Sequence, residues 1–142
     1  MDKNLKLTTS IDLNVSIDKV WFALTDKEMI KQYFWGTEVS SDWNEGSPIS
    51  YSGTWEGTAY EDKGFILKIE KNKTLKHSYW SSFWGTEFNP HDVSIITYEL
   101  SENGEMTTLT VTQEGFKDLQ SRDHSIENWN GIFTNIKNLL EK

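Results

Sequence analysis

The sequence predicts an α+β domain: a curved antiparallel β-sheet wrapped around a long C-terminal helix, with two short helices after the first strand. Three observations carry that expectation. Residues 5–13 alternate with a period of two, residues 16–34 change to a helical period, and from Trp35 onward the alternation returns and persists. The chain then closes on one apolar stripe whose members recur at spacings of three and four.

In "LKLTTSIDL", Leu5, Leu7, Thr9, Ile11 and Leu13 share one side of a strand. Ser16 is placed to cap a short helix carrying Val20, Trp21 and Leu24. Thr25 to Glu28 has the capping-box spacing for a second helix with Met29, Ile30 and Tyr33. "PISYSGTWE" sets Ile49, Tyr51, Gly53 and Trp55 against Ser50, Ser52, Thr54 and Glu56. "GFILKIE" puts Phe65, Leu67 and Ile69 on one face, and "KNKT" supplies a turn before "LKHSYWSS". "VSIITYEL" and "MTTLTVTQE" flank "SENGE", where Asn103-Gly104 signals a hairpin. In "SIENWNGIFTNIKNLLEK", Ile126, Trp129, Phe133, Ile136 and Leu140 form the closing stripe, and the inward face of the sheet is the large surface available to it. No repeat or linker interrupts the pattern, so residues 1–142 are expected to form one domain.

Bulk chemistry narrows the function classes. A formal net charge of −8 and a single arginine, Arg122, make nucleic acid and anionic membrane surfaces poor partners, because both are held by clustered cations. The absence of cysteine excludes disulfides, thiolate catalysis and zinc–cysteine sites. The sequence has neither a transmembrane-length apolar run nor a signal-peptide pattern, so the expected location is cytoplasmic. No nucleophile elbow, phosphate loop or H-E-x-x-H pattern is present, and no catalytic residue is assigned. His77, His91 and His124 lack the spacing of a metal site, so neither a metal nor any other cofactor is expected.

Seven tryptophans in 142 residues demand a use. A sheet that grips a helix leaves a cavity unless side chains fill it. Tyr51 and Trp55 lie on the expected inward face of one strand, with Trp129 and Phe133 facing the same space from the closing helix. That space is solid core or a ligand cavity, and strand parity fits both. His77 and Tyr79 share parity on another strand, so His77 is a candidate for the polar end of a ligand. Tyr79 and Trp80 are adjacent, so one ring points outward unless the strand twists.

The residues also carry a resemblance. "DKVWFALTDKEMIKQYF", Asp42 and Gly46 before a strand, "VSIITYEL", "MTTLTVTQEGF" and "NWNGIFTNIKNLLE" occur in an order similar to the SRPBCC (START-like) superfamily. Within it, the stretch from about Thr8 to Glu141 resembles the C-terminal domain of the activator of heat-shock protein 90 ATPase. The resemblance implies a helix-grip fold and, commonly, a hydrophobic ligand cavity with Trp35 near its mouth. It names no ligand; taken with the residues, it leads to the expectation of a non-enzymatic domain that binds a small apolar or aromatic molecule, with Trp35, Tyr51, Trp55, His77, Tyr79, Trp129 and Phe133 as the lining. The alternatives are a protein-interaction module acting with a chaperone in a stress response, and a cyclase- or hydrolase-like enzyme. The full chaperone activator carries a separate N-terminal domain for which these 142 residues leave no length, so ligand binding stands first. A monomer or a homodimer fits either binding reading.

Overall fold

A computed structural model describes residues 1–141. β1 (Asp2–Leu13) leads into α1 (Ile17–Thr25) and α2 (Lys27–Tyr33). Six strands follow: β2 (Glu38–Ser41), β3 (Pro48–Trp55), β4 (Thr58–Glu70), β5 (Thr74–Ser81), β6 (Ser94–Asn103) and β7 (Met106–Phe116). A 3-10 turn at Ser82–Trp84 opens the β5–β6 connection, and α3 (Leu119–Leu140) ends the chain. The strands form one antiparallel sheet in the order β1-β7-β6-β5-β4-β3-β2, so the first strand returns to pair with the last. This is the α+β helix grip expected from the sequence.

Local chemistry explains most element ends. Ser16 sits at the α1 N-cap without a side-chain cap bond, and at α2 the cap lies one residue beyond the expected Thr25. Asp26 accepts from the Met29 N–H at 3.1 Å, while the Thr25 hydroxyl donates back to the Trp21 carbonyl. The β6–β7 hairpin forms as its sequence signals: Asn103 pairs with Met106, and Gly104 takes the left-handed conformation the tight turn requires. α3 begins six residues before the expected start, because Asp118 caps it by accepting from Ser121 N–H at 2.8 Å.

One strand departs from its sequence pattern. In β4 the inward residues are Asp62, Gly64 and Ile66, whereas Phe65 and Leu67 are exposed. A register shift between Ile66 and Lys68 breaks the alternation, so a period of two cannot run through the strand. Phe65 instead meets Phe88, whose ring also covers the outward Trp80 with centroids 5.8 Å apart.

The core divides along the sheet. α3 packs chiefly against β1, β7, α1 and α2. Leu7, Leu13, Val20, Leu109, Val111 and Ile136 are buried in that half. Trp129 reaches from α3 toward the sheet centre, with its indole N–H donating to Gln113 Oε1 at 3.0 Å. Its ring meets Tyr98 edge-on at 5.7 Å. Trp129→Ala is expected to cost about 3–5 kcal/mol, the range for truncating a buried large aromatic. Urea unfolding checks this, and a loss below about 1 kcal/mol would show that α3 is not held as described.

Candidate functional site

A chain of aromatic contacts runs from the surface to the middle of the grip. The first is Trp35 against Phe34, with centroids 6.0 Å apart. Phe34 stacks on Tyr51 at 5.8 Å, Tyr51 meets His77 at 5.9 Å, and His77 stacks on Tyr98 at 6.0 Å. Tyr98 and Phe133 then flank Trp129. Four expected lining residues, Tyr51, His77, Trp129 and Phe133, therefore pack together between β3, β5, β6 and α3, in a chamber that their own side chains fill.

The other three lie around it. Tyr79 is half-buried beside the chamber; its hydroxyl donates to Asp62 Oδ2 at 2.9 Å and its ring meets Trp84 edge-on. Trp35 is 51% exposed for a backbone reason. The Gly36 N–H bonds the Lys31 carbonyl at 2.9 Å, the closing bond of a Schellman turn, which puts Trp35 in the left-handed position that glycine usually fills. Its ring rests over Gly131 of α3, where an added Cβ would lie 3.3 Å from the indole. Trp55 is 54% exposed at the last pair of the β3–β4 hairpin, past the chamber. The sequence expectation that Trp35 and Trp55 line one cavity is corrected at Trp55: parity places it on the inward face, but the residue is more than half exposed at the end of the hairpin.

The side chains in the chamber touch one another. Two open surface depressions, of about 330 and 540 Å³, lie beside β2–β4 and beside the β6–β7 turn. Neither is lined by any of the seven expected residues.

Polar chemistry inside the chamber is unusual for a core. His77 is 1% exposed and Asp62 is 7% exposed. His77 Nδ1 lies 2.8 Å from the Ser78 carbonyl, yet Nε2 has no hydrogen-bond partner among the described residues. Asp62 Oδ1 likewise has none. Burial lowers the His77 pKa to about 4, so the ring is neutral at pH 7. Burial raises the Asp62 pKa, offset in part by the neighbouring Ser81 and Tyr79 hydroxyls, of which Tyr79 makes a hydrogen bond to the carboxylate. Burial also raises Tyr33, Tyr51, Tyr79 and Tyr98, which therefore remain protonated phenols. Such a set can orient a polar group, but a histidine held near pKa 4 is a weak base at neutral pH. No cluster of three or more potential metal ligands occurs among the described residues.

Sequence reasoning missed Asp62, Tyr98 and Phe34. The β3–β4 register would have found Asp62, since Tyr51 lies directly opposite it. Tyr98 was detectable from its parity with Ile96 and Leu100 in the β6 run, on the face that pairs with Leu109 and Val111 of β7.

The depressed His77 pKa sets a pH dependence. The unfolded chain protonates this histidine near pH 6.5, but the folded chain does so only near pH 4. Its contribution to stability is therefore complete above about pH 6.5 and falls as the pH drops toward 4. Urea unfolding should show a loss of about 2 kcal/mol between pH 7 and pH 5 that His77→Phe removes. Asp62, with its raised folded pKa, acts in the opposite sense as the pH falls further toward its ordinary value. A wild-type profile no steeper than that of the variant would contradict the buried neutral ring.

With this geometry in view, comparison with known proteins places the chain. Residues 14–141 match the family described as Activator of Hsp90 ATPase homolog 1-like protein. A Cytophaga hutchinsonii protein of known solution structure is 36% identical, with 99% of this chain and 97% of that one covered at a TM-score of 0.84. Protein MLL2253 from Mesorhizobium loti, 20% identical, covers 96% of this chain and 97% of its own at a TM-score of 0.81. CalU16 from Micromonospora echinospora, 22% identical, covers 93% of this chain and 71% of its own at 0.74. The latter two likenesses establish shared fold alone. A search of curated proteins found no match. By the span of the family match and the Cytophaga relative, the chain belongs to the Activator of Hsp90 ATPase homolog 1-like family.

Proposed function

We propose that the protein is a non-enzymatic binding domain that takes a small apolar or aromatic molecule into the chamber between the sheet and α3. It acts as one domain in the cytoplasm, as a monomer or homodimer. The observation that carries this reading is the pair of buried acceptors, His77 Nε2 and Asp62 Oδ1, left without protein partners among aromatic rings. An unpaired buried polar atom costs about 1–3 kcal/mol, which a region selected only for packing would shed. A ring-lined site with a few convergent polar groups is also the usual chemistry of a small-molecule site. Since the rings now touch, binding requires them to part. Trp35, exposed and resting on Gly131, is the surface member of the aromatic chain and the natural place for that opening. No described helix is long and apolar enough to cross a membrane.

A second reading, an interaction module of the heat-shock protein 90 activator type, draws support from the family and from exposed rings. Trp55 and Phe83 are each more than half exposed, and Phe83 lies 5.6 Å from Tyr60 on the same side of the sheet.

Titration with 2-naphthol tests the first reading. Saturable quenching of tryptophan fluorescence is expected, with stabilisation of about 2.7 kcal/mol at one hundred times the dissociation constant, or about 8 °C in Tm. Absence of both effects, with stimulation of a purified chaperone ATPase that Trp55→Ala abolishes, would favour the second reading.

A further inference from the structure

The free polar atoms of the chamber specify what its ligand must carry, an inference that rests on the chamber being a ligand site. A carbonyl oxygen can only accept, so the 2.8 Å contact between His77 Nδ1 and the Ser78 carbonyl places the proton on Nδ1. In the neutral ring this leaves Nε2 as a bare lone pair. It has no protein partner, and His77 is buried beneath the rings of Tyr51 and Tyr98.

The second free atom has the same character. Asp62 Oδ2 accepts from the Tyr79 hydroxyl, and Oδ1 is left with no partner. Asp62 faces Tyr51 across the β3–β4 pair, and the Tyr51 ring lies 5.9 Å from His77. Both unpaired acceptors thus flank one tyrosine. Among the described residues no lysine or arginine is buried, so none of them would neutralise an anion inside. A carboxylate brought into the chamber would be desolvated beside Asp62 without a cationic partner.

We propose that the chamber selects an aromatic molecule bearing a hydrogen-bond donor directed at these unpaired acceptors, a hydroxyl meeting one of them, His77 Nε2 or Asp62 Oδ1, with its single proton and an amine offering more than one. It discriminates against isosteres that can only accept and against aromatic carboxylates. A site whose buried acceptors are met by a donor rejects the analogue lacking it, because those acceptors then stay unpaired.

Three probes of one ring system test this by calorimetry at pH 7: 2-naphthol, 2-methoxynaphthalene and naphthalene-2-carboxylate. The expected order is naphthol tightest, the methoxy compound about ten-fold weaker, and the carboxylate weakest. In His77→Phe the naphthol advantage over the methoxy compound should collapse. In Asp62→Asn, which keeps an acceptor for Tyr79, the gap between naphthol and the carboxylate should narrow. Circular dichroism reports whether each variant folds; if either does not, the wild-type order still decides. Equal affinities for naphthol and the methoxy compound, or tightest binding by the carboxylate, would overturn the donor requirement while leaving the binding reading standing. No binding by any of the three would overturn both.

Discussion

The site depends on how closely β5 approaches β4 at Gly64. A Cβ at that position would lie 1.9 Å from the Ser78 carbonyl oxygen, closer than any side chain permits. With glycine there, the Ser78 hydroxyl accepts from the Phe65 N–H at 2.9 Å, while its carbonyl accepts from His77 Nδ1. One residue thereby holds the strand crossing and the histidine tautomer together. A larger residue at 64 would push the strands apart and free the imidazole, so the polarity of the chamber is built into a backbone contact.

The two halves of the grip do different work. On the β1–β7 side, aliphatic residues such as Leu13, Leu109 and Ile136 are almost wholly excluded from solvent. Toward β3–β5 the interior becomes aromatic and polar, with Tyr51, Asp62 and His77 on facing strands. The local costs gather in and around this second half. Trp35 holds a left-handed conformation that costs a residue with a side chain about 1–2 kcal/mol. His77 and Asp62 each leave a polar atom unpaired. A fold tolerates such features where the rest of the molecule is consistent, and they concentrate where function is exercised. The family match fixes the architecture in which this happens.

Much of the fold was legible because its signals are local. The β1 alternation, the Asn103-Gly104 hairpin and the α3 stripe depend on neighbours in sequence, and each element formed. The inward positions of Tyr51, His77, Trp129 and Phe133 followed from period and parity. What was not legible depended on register and coverage. The shift between Ile66 and Lys68 turned Phe65 and Leu67 outward and Asp62 inward, and no period of two can announce such a shift. Trp55 had the right parity, yet it is exposed at the end of its hairpin, and parity carries no information on coverage. Trp35 lies at the surface end of the aromatic chain, and its left-handed backbone was not legible, because a helix terminus would be expected to put Gly36 in that position.

The central claim is that His77 is a neutral, buried imidazole whose Nε2 lone pair faces an aromatic chamber with no protein donor. Nitrogen-15 NMR of the imidazole ring, recorded on the protein from pH 8 to pH 5, tests it most directly. The expected result is a protonated Nδ1 and an unprotonated Nε2 at the shift of a lone pair without a strong donor, with only the onset of protonation, about a tenth of the ring, at pH 5. A ring that titrates near pH 6.5, or carries its proton on Nε2, would contradict the claim.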